Sequence, residues 1–192
     1  IGPAISHFNR KYPDVVIQLH LTDRPVALPD DATDISIRFG DIPDSRLIAK
    51  KLAVNRRLLC ASPAYLRTAG CPANPQELSR HQCIVLRQNE SAYGNWRLIR
   101  GKQTETVKVQ GKLSTNDGEV ALNWALDGHG ILMRAEWDVA KYLRSGRLEQ
   151  ILPDYETPSA DVYAVYMERL NLSARVAYFV DYLREYFRQH VD

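Results

Sequence analysis

Arg57-Leu58-Leu59-Cys60-Ala61-Ser62-Pro63-Ala64-Tyr65-Leu66 changes character at its middle, and that change points to the fold class. Leu58 to Ala61 is an unbroken apolar run, in which Cys60 acts as a small core residue. Ser62 then offers a side-chain oxygen to the free amides of a helix. Pro63 suits the first helical position, where no N–H is needed. The helix should reach about Ala69 and close at Gly70. A strand that passes directly into a capped helix is the unit of an α/β sheet.

Working outward, strand and helix signals alternate along almost the whole chain. Before this stretch, Pro3 to Lys11 reads as a short helix, stopped by Tyr12-Pro13 because proline disfavours helix in the residue before it. Val15 to Leu21 reads as a strand, as do Asp34 to Gly40 and Leu47 to Ala53. After it, Asn74-Pro75-Gln76-Glu77 repeats the helix-start pattern, with Glu77 placed to complete a capping box. Strands are expected near 82–86, 95–100 and 104–110, the last two joined by a turn at Gly101. Asn116 is expected to cap a helix whose body, Val120 to Leu126, is apolar almost all round. Such a helix is buried on more than one side. Its second face is read as a subunit interface, with burial under loops of the same chain as the alternative. A short buried strand at 131–133, a helix at 137–144, a strand at 162–166 and a helix from Ser173 to about Arg188 complete the pattern.

With 192 residues, the chain buries roughly 70% of its unfolded surface and needs no covalent staples. Its 45% hydrophobic and 25% charged residues are ordinary globular values. A net charge of +2 does not mark a nucleic-acid-binding surface. The densest basic stretch, Arg46, Lys50, Lys51, Arg56 and Arg57, is read as a solvated strand edge that discourages edge pairing. Cys60, Cys71 and Cys83 are odd in number and lack zinc spacing, which suits a reducing, cytoplasmic compartment. No stretch is long and apolar enough for a membrane span, and no signal peptide is visible at Ile1-Gly2-Pro3.

The motifs for catalysis are missing. The chain has no G-x-S-x-G elbow, no H-E-x-x-H helix and no P-loop. Its five histidines, His7, His20, His81, His129 and His190, lack ligand spacing. The chain is therefore read as a non-enzyme without metal or cofactor. Binding features are stronger, because ligands of open α/β sheets lie beyond the carboxyl ends of strands. Thr22-Asp23-Arg24, Arg38-Phe39-Gly40-Asp41, Thr115-Asn116-Asp117 and Met133-Arg134-Ala135-Glu136 all fall at such ends. Arginines beside helix N-terminal amides favour an anion.

Four further stretches occur in order. They are Phe8-Asn9-Arg10-Lys11-Tyr12-Pro13-Asp14-Val15, Asp34 to Gly40, Leu58 to Leu66, and Ser145-Gly146-Arg147-Leu148 leading to Leu152-Pro153-Asp154-Tyr155. Together they resemble the effector-binding domain of the LysR-type transcriptional regulators, over Ile1 to about Phe187. The resemblance implies an α/β fold like the type 2 periplasmic binding proteins, with two Rossmann-like lobes joined by two crossover strands. It places residues 1–60 and 166–192 in lobe I and 61–165 in lobe II, with crossings near Cys60–Ser62 and Val165–Met167. A small-molecule effector would bind between the lobes, against Thr22, Arg38, Phe39, Thr115, Asn116, Met133 and Arg134.

The family also pairs head-to-tail, which implies a homodimer here and a tetramer for the full-length protein. DNA contact would belong to an N-terminal winged helix-turn-helix, which these residues do not include. The family's usual first strand of lobe I and its following loop are missing as well. Where the family often has Leu-Pro after the cleft strand, this chain has Met133-Arg134, which favours an anionic effector. The competing expectation is a solute-binding protein of a transport system, which shares the architecture.

Overall fold

A computed structural model of the chain describes residues 1–21, 33–40, 47–87, 94–167 and 174–190. Chain contacts divide it into two units, Ile1–Val54 with Ala160–Asp192, and Asn55–Ser159. The division falls a few residues before the expected lobe boundaries. The strand Arg57–Ala61 pairs wholly within the second unit, which explains the offset.

The second unit is built on one mixed sheet. Its strands are β3 (Arg57–Ala61), β4 (Cys83–Leu86), β7 (Ser114–Thr115), β8 (Ile131–Ala135) and β9 (Glu149–Ile151), in the order β7-β4-β8-β3-β9. β4 runs parallel to β7 and β8, while β3 runs antiparallel to β8 and β9. A separate hairpin, β5 (Asn95–Arg100) and β6 (Gln103–Lys108), turns at Gly101, whose φ of 59° is left-handed.

Alternation along these strands sorts the core into two layers. Leu59, Cys83, Val85 and Ile131 face one way, against Tyr65, Leu78 and the hairpin's Trp96, Leu98 and Val107. Cys60, Ile84 and Leu132 face the other way, against Ala121, Leu122, Ala125, Val139 and Leu148. The helices supplying this second layer are α3 (Gly118–Leu126) and α4 (Glu136–Arg144). The sheet is buried on both faces, and so its strands read as apolar runs rather than alternations.

Helix ends follow the capping rules. The Ser62 hydroxyl accepts the Tyr65 N–H at 3.3 Å and starts α2 (Pro63–Ala69). Asn74 accepts the Glu77 N–H at 3.2 Å, although the turn it opens, Pro75–Arg80, is a 3-10 helix. The cap of α3 is Asp117 rather than the expected Asn116. The Asp117 carboxylate accepts both the Glu119 and Val120 amides at 2.8 Å, so the helix begins at Gly118.

The first unit contains α1 (Gly2–Lys11), β1 (Ser36–Phe39), β2 (Leu47–Ala53), β10 (Val162–Met167) and α5 (Ala174–His190). Its sheet is antiparallel in the order β1-β10-β2. Val176, Val180 and Leu183 recur at helical spacing on the buried face of α5. Phe8 of α1 meets Phe179 and Tyr182 with ring centroids 4.8 Å and 4.9 Å away. β2 is an edge strand, as its lysines suggested, and they are ion-paired: Lys50 with Asp181 and Lys51 with Asp161.

The expected strand Val15–Leu21 does not form. It hydrogen-bonds into no sheet among the described residues, and Val16 and Leu21 are 88% and 83% exposed. An extended segment gains strand geometry only when a neighbour accepts its backbone groups, and β propensity alone does not supply one. Residues 22–32, between this segment and β1, lie outside the described residues.

Leu132 is fully buried beneath α3 and α4, so Leu132→Ala should cost about 2–5 kcal/mol in urea unfolding. Burial pushes the Cys60 and Cys83 thiols up to about 12, whereas Cys71 is exposed. At pH 8, Ellman's reagent should therefore titrate one thiol in the native chain and three after denaturation.

Candidate functional site

One end of the five-stranded sheet gathers the charged residues. β4, β7 and β8 all finish there and β3 starts there, as their parallel and antiparallel pairings require. Arg57, Arg87, Thr115, Asn116 and Arg134 consequently share that end, together with the first turn of α3. α3 crosses from β7 to β8 while β4 lies between those strands in the sheet, and ligands of open α/β sheets bind beyond strand ends of this kind.

Arg134 occupies the centre of it. Its parity on β8 matches Leu132, so its side chain leaves the sheet on the side of α3 and α4. There the guanidinium lies directly over the bare Cα of Gly118, the first residue of α3. A Cβ at position 118 would collide with Cζ and both terminal nitrogens. Glycine at 118 leaves the room that the guanidinium occupies, and no unusual φ is involved. The Arg134 side chain is 22% exposed, and Nη2 reaches the Asp138 carboxylate of α4 at 2.8 Å. Its Nε is buried with no hydrogen-bond partner among the described residues. A buried donor left unpaired is costly, so this nitrogen is prepared for an acceptor.

The surrounding charge strengthens this preference. Arg57 is half-buried, and its pKa is lowered first by desolvation and then by the Arg134 charge. The basic stretch is thus divided: Lys50 and Lys51 lie on an edge, but Arg57 opens an inner strand, β3, at this sheet end. The missed signal was register, since Arg57 opens the strand that pairs with β8 beside Arg134. The N-terminal amides of α3 add partial positive charge at the same place. Nearby acids are already engaged. Asp117 holds the α3 amides, and Glu136 forms a two-pronged pair with Arg56. That hydrogen bond lowers the Glu136 pKa.

The other expected residues are placed as follows. The Thr115 hydroxyl accepts the Asp117 N–H at 3.0 Å, and Asn116 is exposed beside it. Met133 leaves β8 on the opposite face from Arg134 and packs against the hairpin-side core. Arg38 and Phe39 belong to the first unit, on β1. There Arg38 Nε donates to the Ser36 hydroxyl at 3.4 Å and Phe39 is 53% exposed. Thr22 lies outside the described residues. The opposite end of the second unit's sheet holds a cavity of about 310 Å³ lined in part by Tyr65, Gln82, Lys112 and His129, and none of the expected residues line it. No group of three metal-ligating side chains occurs among the described residues.

Residues 1–188 match the LysR substrate binding domain. The chain belongs to the LysR substrate-binding domain family. It is 43% identical over 192 residues to the HTH-type transcriptional activator TtdR of Escherichia coli K12, covering 100% of this chain and 61% of TtdR. It is 40% identical over 190 residues to the HTH-type transcriptional regulator DmlR of the same strain, covering 99% of this chain and 62% of DmlR. The chain thus spans about three fifths of these relatives. The regulatory domain of AphB from Vibrio vulnificus superposes with a TM-score of 0.82 at 27% identity, covering 97% of this chain and 91% of that one.

These likenesses establish the fold expected from the resemblance, the periplasmic-binding-protein-like α/β fold of LysR-type regulatory domains. The relatives are transcriptional regulators rather than enzymes, and they lend no support to the solute-binding-protein alternative. No helix among the described residues is long and apolar enough to cross a membrane.

Two measurements follow from this geometry. Gly118→Ala should displace the Arg134 guanidinium, visible as a large shift of the Arg134 Nε–H resonance while the fold's amide spectrum stays native. The Arg56–Glu136 pair contributes stability above the unfolded carboxyl pKa, and that contribution is lost as pH falls through the lowered folded value. The stability gap between wild type and Glu136→Gln should therefore be no more than about 1 kcal/mol at pH 6, given the pair's exposure, and should shrink progressively as the solution is acidified through the carboxylate range.

Proposed function

We propose that this domain senses a small anionic metabolite for a LysR-type transcription regulator, with Arg134 as the principal effector contact. One observation carries the reading: the Arg134 guanidinium rests on Gly118, the first residue of α3, with a buried Nε that has no partner among the described residues. Such an arrangement favours a carboxylate or similar oxyanion, which can accept from the guanidinium beside the positive end of α3. Thr115 and Asn116 stand at the same sheet end and suit hydroxyl or carbonyl groups of the effector. Arg38, Phe39, Met133 and Thr22 remain proposed contacts on the strength of the family resemblance, and so do the lobes at 1–60 with 166–192 and at 61–165.

DNA contact belongs to a winged helix-turn-helix outside these residues, and the protein works in the cytoplasm. The domain pairs with a second copy through α3, within a tetramer of the full-length protein. Val120 is 39% exposed on that helix, and Trp124 beside it is only part-buried, which supports a pairing face there. An effector changes the conformation only through its different affinity for the two states.

A thermal-shift screen with acetate, succinate and benzoate, set against acetamide, succinamide and benzamide, tests the effector class. A carboxylate at about 100 times its Kd should stabilise the wild type by roughly 2.7 kcal/mol, several degrees in Tm. Arg134→Ala should lose that gain, and an equal gain in both proteins would contradict the assignment. For pairing, Val120→Asp should shift the light-scattering mass from dimer to monomer with the secondary structure unchanged.

A further inference from the structure

Among the described residues Arg134 makes one ion pair, and the partner is supplied by the chain itself. Asp138 reaches it across one turn, at 2.8 Å, from the third residue of α4. The ordinary role for an acid at that position is to complement its own helix dipole. Here the carboxylate instead turns back onto Nη2, at the face an incoming anion would use. Both partners retain access to solvent, at 22% and 34% exposure, so the pair can open without unfolding anything. The contact satisfies only part of the guanidinium, because Nε stays unpaired.

We propose that Asp138 is a built-in competitor that occupies the effector's place on Arg134 in the empty domain, and that an effector oxyanion binds by displacing it. The inference rests on the reading of Arg134 as an effector contact. Three features support displacement over simple addition. The acid neutralises one of two mutually repelling arginines, so losing it without replacement is unfavourable. The other neighbouring acids, Asp117 and Glu136, are held by α3 amides and by Arg56, which leaves Asp138 as the exchangeable one among those described. An exogenous anion is not tethered to α4 and can settle against both Nη2 and the positive end of α3, whereas Asp138 is anchored on α4 and meets Nη2. Asp138 thereby sets a threshold: only ligands that exceed its single contact take the site, which selects strong oxyanions over chloride and neutral groups.

Removing the competitor should tighten binding, a direction that structural damage does not produce. Isothermal titration with sulfate as the probe, at fixed ionic strength, compares wild type, Asp138→Asn, Asp138→Glu and Arg134→Gln. Asp138→Asn should bind sulfate roughly fivefold more tightly than wild type, the scale of a partly exposed ion pair. Asp138→Glu should stay near wild type, and Arg134→Gln should lose binding. If Arg134→Gln binds like wild type, the Arg134 reading itself fails. If Arg134→Gln loses binding while Asp138→Asn binds equally or more weakly, only the competitor is refuted. No sulfate binding by any of the proteins would overturn both. Should Asp138→Asn not fold, wild-type NMR decides: sulfate should shift the Arg134 Nε–H and Asp138 carboxyl resonances together, and an unmoved Asp138 carboxyl overturns displacement.

Discussion

The pairing of β3 with β8 sets the terms for the second unit. These two strands lie inside the sheet, and Leu59, Cys60, Ile131 and Leu132 are buried on its two faces. Burial on both sides fixes register strongly, since a slip of one residue would exchange the two cores. The same register places Arg134 opposite Leu58 and brings Arg57 to the same end. The hydrophobic layers therefore fix where the charges go. An arginine at the end of a strand that cannot slip is held in place with little freedom left to lose on binding.

The electrostatics at that end are unbalanced by design of the chain path. A guanidinium on a helix N-terminus, with a second arginine nearby, brings like charges together in a half-buried place. A folded chain tolerates this when some anion completes the set. Asp138 does so partly, through one nitrogen, and leaves Nε unmet. Gly118 permits the arrangement, because any side chain there would push the guanidinium out. The same glycine costs helix propensity, and at the first helical position that cost is small.

Much of this was legible in the sequence where a local rule is strong. Ser62-Pro63, Asn74 and the apolar runs of β3 and β8 specify themselves through capping and burial, and the family resemblance supplied the architecture. Val15–Leu21 has strand propensity without a partner, and pairing is a long-range property that no local pattern contains. Asn116 and Asp117 are adjacent and both suit the cap of α3; which one serves depends on where the Thr115 hydroxyl holds the Asp117 amide. At the site, Arg134 stood out by its place after an apolar strand. Arg57 was hidden in a run of basic residues, Asp138 in an ordinary helix start, and Gly118 in a cap motif. Their roles arise from side chains meeting across elements far apart in sequence, which no local pattern records.

The central claim is that an oxyanion belongs on Arg134, over the N-terminus of α3. The most direct test is a crystal structure of the domain soaked in selenate, with anomalous data collected at the selenium edge. The account predicts a selenium peak whose oxygens lie about 3 Å from Arg134 nitrogens, with the Asp138 carboxylate turned away. Selenium found only elsewhere, with Arg134 still seated on Asp138, would contradict it.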